Sequence, residues 1–257
     1  MRDKYKGKAY FNDFTDGIYA NQEKRFEKLK NNQIKVDRIY SVKLDMVRNY
    51  LKIIFAKYSR GDDMFSESVN KDLHNTLTLF TECWRKNHSS LVSSQKNKGE
   101  FLNQYSLKLF SIIIDLLSIS VLLDAKKEYF NSISNFIDKD KVVDFLFNFF
   151  IMYKDPNRGA IKSESYEEFF GINEKFKELK EVLFLNDKKE IESKIDLFLK
   201  RNWFDIISKE SIYGLNTSKN NDYCGYWCFP AAAIVKIKEL DDSSFRDNPY
   251  YPKDLIQ

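Results

Sequence analysis

Apolar side chains recur along this chain in steps of three and four, the spacing that lines one face of an α-helix. The clearest run is Val36, Tyr40, Leu44, Val47, Leu51, Ile54 and Tyr58, which predicts a long amphipathic helix ending at Gly61. Val69, Leu73, Leu77, Phe80 and Trp84 predict a second helix that runs out near His88, with Ser66 placed to cap it. After a polar linker from Ser93 to Gly99 come Phe101, Tyr105, Leu109, Ile112, Leu116, Ile119 and Leu123. They predict a third helix, apolar nearly all round and therefore central.

Shorter signals follow. Asp138-Lys-Asp-Lys141 opens a helix through Val142, Phe145, Phe149 and Met152, which Asp155-Pro156 stops because proline disfavours helix in the residue before it. Helical spacing resumes at Tyr166 to Phe170, at Phe176 to Leu185, and at Ile191, Ile195 and Phe198. No strand-like alternation of useful length and no fixed-period repeat interrupts these segments. The expected fold is all-α, a layered antiparallel helical array of about nine helices. It divides into an N-terminal part, 1–138, and a C-terminal part, 139–257, which could also form one continuous domain.

Composition agrees. Only 8 Gly and 4 Pro in 257 residues starve the chain of the turn residues that sheets need, while 43% hydrophobic content gives ample material for a core. The most apolar stretch, Leu109 to Leu123, is too short and, with Asp115, too polar to span a bilayer, and no apolar run follows the basic N-terminus as in a secretory signal. Cys83, Cys224 and Cys228 are an odd, loosely spaced set that fits a reducing compartment, so the expected location is cytoplasmic.

The net charge of +4 hides an asymmetry: residues 1–140 carry 24 Lys+Arg against 18 Asp+Glu, residues 141–257 carry 18 against 20. The basic excess is scattered lysine rather than a stripe with interleaved aromatics, so no direct nucleic-acid contact is expected. A helical nucleic-acid-binding or scaffold protein is the alternative reading, resting on the 15 basic and 7 acidic residues from Arg2 to Arg60.

Catalytic constellations are not legible. The two histidines, His74 and His88, lie about 21 Å apart along one helix, too far to share an ion. Cys224 and Cys228 have no second pair to complete a tetrahedral site and read as buried apolar thiols. Asn157 to Ser163 lacks the glycine spacing of a phosphate loop. Glu167/Glu168 and Glu190/Glu192 do not converge on helices. Neither enzyme activity, metal nor cofactor is expected.

Two stretches stand out. Tyr58-Ser-Arg-Gly-Asp62 closes the long helix, with Gly61 suited to a left-handed terminus and Lys57 and Arg60 to the negative end of the helix dipole. The second runs from Tyr223 to Leu255: Gly225, Tyr226, Trp227 and Phe229 lead into an alanine block that permits close helix approach, and Pro249-Tyr250-Tyr251-Pro252 makes an extended tail with docked tyrosines. Together these stretches resemble the PoNe immunity protein family, bacterial proteins that protect their producers from polymorphic nuclease effector toxins. The resemblance covers both parts of the chain, with Tyr58, Arg60, Gly61 and Asp62 in one and a glycine-tyrosine-tryptophan helix and tyrosine-tyrosine-proline tail in the other. One departure is Pro230, where family members usually carry glutamate. Proline is tolerated only in a helix's first turn, so the helix should begin near Phe229 or kink there. The segment from Tyr213 to Asn221 also diverges.

The resemblance implies a partner, a cognate toxin domain with nuclease activity, bound so as to cover its active site or substrate groove. It implies no membrane partner, and either a monomer or a homodimer. An acidic patch would complement a basic nuclease. The candidates for toxin contact are Asp222, Glu239, Asp241, Asp242, Asp247 and Asp254, all in the acidic half.

Overall fold

In a computed structural model, the structure describes residues 1–84, 89–93, 99, 101–161, 176–208, 214–219 and 222–256. The predicted helix at Tyr166 to Phe170, the pair Glu167/Glu168, and His88 lie outside the described residues. The fold is all-α, with one two-stranded hairpin among the described residues. The chain forms two compact units, neither continuous in sequence: Met1–Arg85 with Ile207–Tyr226, and Lys86–Ile206 with Trp227–Gln257.

The first unit is built on three helices. Helix α1 (Lys8–Lys30) buries a narrow stripe including Phe11 and Phe14 and leaves most of its surface polar, which is why apolar spacing alone does not announce it. Helix α2 (Ile39–Arg60) buries Leu44, Val47, Leu51, Ile54 and Tyr58 as the spacing predicts. Val36 instead belongs to a 3-10 turn (Val36–Arg38) ahead of α2 and is 86% exposed. Helix α3 (Glu67–Cys83) buries Val69, Leu73, Leu77 and Phe80; Ser66 occupies its N-cap position, but its hydroxyl bonds no helix amide.

Side-chain bonds fix the helix directions. Lys57, late in α2, reaches Ser68 and Asp72 early in α3, whereas Lys43, early in α2, reaches Glu82 at the far end of α3. Arg60 meets Asn12 on α1 while Gln22 bonds the Met46 carbonyl. Both neighbours of α2 therefore run antiparallel to it.

The second unit opens with the hairpin, β1 (Ser90–Ser93) and β2 (Phe101–Gln104), antiparallel with Leu91 opposite Asn103. This corrects the expected helix start at Phe101: Phe101 to Gln104 pair with β1 as a strand, and helix begins only at Leu107. Ser106 caps α4 (Leu107–Leu122), its Oγ accepting from the Leu109 amide. Ile113, Leu116, Leu117, Ile119 and Val121 are fully buried, and α4 packs against both α6 and α10.

After α4 come α5 (Lys127–Lys139), α6 (Phe145–Met152), a short α7 (Lys177–Glu181) leading into a 3-10 turn, and α8 (Lys188–Leu197); α5 and α7 pack on α6, and α7 on α8. A π-helical turn (Phe198–Asn202) follows, then α9 (Trp203–Ser208) and α10 (Phe229–Lys238). Asp144 caps α6 and also pairs, fully buried, with Lys180 at 2.8 Å. No helix among the described residues is long and apolar enough to cross a membrane.

Candidate functional surface

Within the first unit, the end of α2 meets the N-terminal segment and the stretch from Asp222 to Tyr226. The α2 terminus is a Schellman turn: Gly61 has φ +90°, its amide donates to the Tyr58 carbonyl, and the Asp62 amide donates to the Lys57 carbonyl. Arg60 and Asp62 form a two-point ion pair at 2.8 and 2.6 Å. The hydrogen bond to Asp62 raises the Arg60 guanidinium's pKa above its already high ordinary value.

The N-terminal segment lies against this turn. The Arg2 and Asp3 amides both donate to the Ser59 carbonyl, and the Arg2 guanidinium stands 4.6 Å over the ring of buried Tyr58. From the other side, the Ser59 hydroxyl donates to the Cys224 carbonyl at 2.7 Å, and the Tyr223 hydroxyl donates to Asp3 at 2.6 Å. The Tyr10 hydroxyl accepts from the Tyr223 amide and donates to its carbonyl. Tyr223 and Tyr226 pack edge to face at 4.9 Å, with Tyr5 against both. Burial and the Asp3 carboxylate drive the Tyr223 pKa far up, which keeps it a neutral donor.

Two stretches more than 160 residues apart in sequence thus meet in one cluster, joined directly by the Ser59–Cys224 bond and through Asp3, Tyr5 and Tyr10. Tyr58, Arg60, Gly61, Asp62 and Tyr226 serve the architecture of this unit. Gly225, at φ +117°, and Tyr226 precede α10 and belong to no helix, as does Trp227, in place of the glycine-tyrosine-tryptophan helix expected. A positive φ at Gly225 is incompatible with a continuing helix.

Beneath the turn, Lys57 is buried and pairs with Asp72 at 2.5 Å, instead of neutralising an exposed helix end. Ser68 accepts from the same ammonium, and the Tyr19 hydroxyl donates to Asp72 at 2.7 Å. A buried charge pair is tolerable only when its remaining hydrogen-bonding capacity is met, as here. Burial, reinforced by Asp72, pushes the Tyr19 pKa well up.

The rest of the second motif lies in the second unit. Helix α10 begins at Phe229 with buried Pro230 in its first turn, the placement expected from proline's missing N–H. Ala231, Ala232 and Ala233 are fully buried, which is how α10 can approach α4 closely. The tail returns to the start of this helix, where the Cys228 amide donates to the Tyr250 carbonyl at 2.8 Å. Tyr251 is buried edge to face against Phe245, Pro252 is buried beside it, and Tyr250 stacks on Phe204 of α9. Pro249 stays exposed.

Five of the six acidic candidates lie along this tail. Glu239, at φ +51°, ends α10, and its carbonyl accepts from Lys188. Asp241 is exposed; its carboxylate accepts from the Ser243 amide, which lowers its pKa, and Lys189 stands 3.7 Å away. Asp242 is mostly buried and held by Arg246 at 2.6 Å, so it anchors the turn instead of facing outward. Asp247 is almost fully exposed and pairs with Lys253, which lowers its pKa. Asp254 is exposed on the final 3-10 turn. Asp222 is exposed in the first unit.

Spacing sets Glu192 aside with Glu190 as a helix-face carboxylate, whereas it is mostly buried, accepts from the Asp241 amide and from Lys189, and so joins α8 to the tail. Spacing gives no sign of Phe204, for only folding brings it to Tyr250. Cys83 and Cys228 are buried and Cys224 is half-buried, and none of the three is in a disulfide. His74 is exposed on α3, and the described residues contain no cluster of three or more His, Cys, Asp or Glu able to hold a metal.

Comparison with known proteins adds three findings. Two family models match the sequence: the N-terminal model of the PoNe immunity proteins over residues 2–135, and the C-terminal model of the same proteins over residues 138–255. Among solved structures, protein PA2201 from Pseudomonas aeruginosa matches with a TM-score of 0.61 at 13% identity, over 96% of this chain and 87% of that one, a likeness of fold alone. No curated protein matches the sequence.

Proposed function

Because the chain belongs to the PoNe immunity protein family, we propose that it binds a cognate bacterial toxin, a nuclease, and neutralises it by covering the active site or substrate groove. The span of the family match carries this reading, since both family models fit and together they reach from residue 2 to residue 255. Inhibition of this kind is stoichiometric occlusion in the cytoplasm and uses neither a cofactor nor a catalytic residue.

The face we assign to the toxin is the tail of the second unit. A nuclease grips a polyanion and must present basic side chains around its groove. Carboxylates at Glu239, Asp241, Asp247 and Asp254 complement such a groove and speed encounter. Asp242 acts through Arg246, shaping the turn that displays its neighbours. Asp222 offers a separate contact from the first unit.

The test is co-expression with the toxin encoded beside it. Restored growth and a co-purifying stoichiometric complex are expected. Growth arrest together with no complex would overturn the reading, and salt-sensitive DNA binding by the protein alone would replace it with nucleic-acid recognition.

A further inference from the structure

The exposed apolar side chains of the second unit include Phe204, which is 39% exposed on α9 and stacks on Tyr250 with ring centroids 6.1 Å apart and planes 22° from parallel. Tyr250 is itself only half-buried. Its backbone is fixed at both ends, the carbonyl by the Cys228 amide and the amide by Asn248 Oδ1 at 2.9 Å, and the next residue, Tyr251, is buried. A solvent-facing aromatic pair on a rigid support loses little freedom when a partner docks, which is the property of interface hot spots.

The stretches that carry the pair hold more acid than base, although Lys200 and Arg201 stand four and three residues before Phe204. Asp205 follows Phe204 directly, and the tail from Glu239 to Asp254 holds five acidic residues against Arg246 and Lys253. Asp247, three residues before Tyr250, projects almost wholly into solvent. Aromatic faces bordered by carboxylates fit one kind of group above others: a cationic side chain that lies over a ring while its N–H groups reach the carboxylates.

We propose that the Phe204–Tyr250 pair is the anchor of the toxin-binding face, and that it receives an arginine or lysine from the basic face of the cognate toxin domain. This rests on the neutralisation reading and adds to it the residue at the centre of the contact, one no acidic-patch argument reaches.

The test is calorimetric titration of the full-length protein with a catalytically inactivated cognate toxin domain at low and moderate salt. Phe204→Ala is expected to weaken binding by about tenfold or more at a temperature where the variant, which also loses its packing on Tyr250, is still fully folded. Phe204→Leu, which keeps the apolar bulk and removes the ring, is expected to lose a substantial part of that, and it serves if the alanine variant folds poorly. Asp247→Lys is expected to weaken binding and to flatten its salt dependence. Phe26→Ala, an exposed phenylalanine among the lysines of α1, is the control and should bind as wild type. Binding of Phe204→Leu and Asp247→Lys within about twofold of a tightly binding wild type would overturn the anchor and leave neutralisation standing. Absence of binding by the wild type would overturn neutralisation itself.

Discussion

A side chain at Gly61 would meet two obstacles at once. The backbone there is left-handed, and a Cβ would lie 2.8 Å from the Met1 nitrogen. The conformation alone costs an L-residue about 1–2 kcal/mol, and relieving the clash means shifting the segment whose amides bond Ser59. Gly61→Ala is therefore expected to lose about 2–3 kcal/mol in urea unfolding. The two buried phenols make a separate prediction. Unfolded, Tyr19 and Tyr223 ionise near the ordinary value of 10.0, whereas folded they hold their protons to higher pH. The unfolded chain therefore releases protons first, so their contribution is complete below about pH 10 and declines as pH rises beyond it. Tyr19→Phe with Tyr223→Phe should flatten the fall of the urea midpoint between about pH 10 and 11, and an unchanged slope would contradict the assignment. Sequence made Gly61 legible because a glycine after a helical run is a local signal. Lys57 was legible only as a helix-end cation, because its partner Asp72 becomes a neighbour through α3.

Helices whose apolar stripe is broad, α2, α3 and α4, could be read directly from spacing. Two kinds of element could not. Helix α1 buries few residues and keeps a polar exterior, so its periodicity is faint. The hairpin strands are four residues each, too short for alternation to outvote the long helical series into which Phe101 happens to fit. Helix α10 was legible for a different reason: proline in the first turn and an alanine block both constrain what can stand beside it. That constraint is testable. Ala232 is fully buried in a helix packed on α4, so Ala232→Leu must push the two apart or strain its rotamer, and a loss of about 1–3 kcal/mol is expected from chemical denaturation. Wild-type stability in this variant would mean the α4–α10 contact is loose. Position 230 is buried as well, so the proline here is a packing residue.

The whole molecule does not assemble in the order of its sequence. The first unit takes its Asp222–Tyr226 stretch from the far end of the chain, and the bonds from Asp3, Tyr10 and Ser59 to that stretch all lie within the unit. No spacing pattern could have joined Ser59 to Cys224. A fragment of residues 1–135, the reach of the N-terminal family model, keeps the bonds of Arg2 and Asp3 to Ser59 but lacks the 223–226 partners of Asp3, Tyr5, Tyr10 and Ser59. It should show weak, non-cooperative thermal unfolding, and adding a fragment of residues 138–257 should restore a cooperative transition. A cooperative, stable 1–135 fragment would contradict this account.

The inward orientation of the shared motif has a consequence for how such proteins diversify. Tyr58, Tyr223 and Tyr251 are buried, whereas Asp241, Asp247 and Asp254 stand in solvent, where substitutions typically change stability by less than about 0.5 kcal/mol. Mutations that retune the outer face therefore leave the folding free energy nearly untouched. On the proposal that those positions meet the toxin, a lineage can follow a changing toxin through them while selection on folding holds the inner tyrosines still, so sequence drift should be fast on one side of the tail and slow on the other.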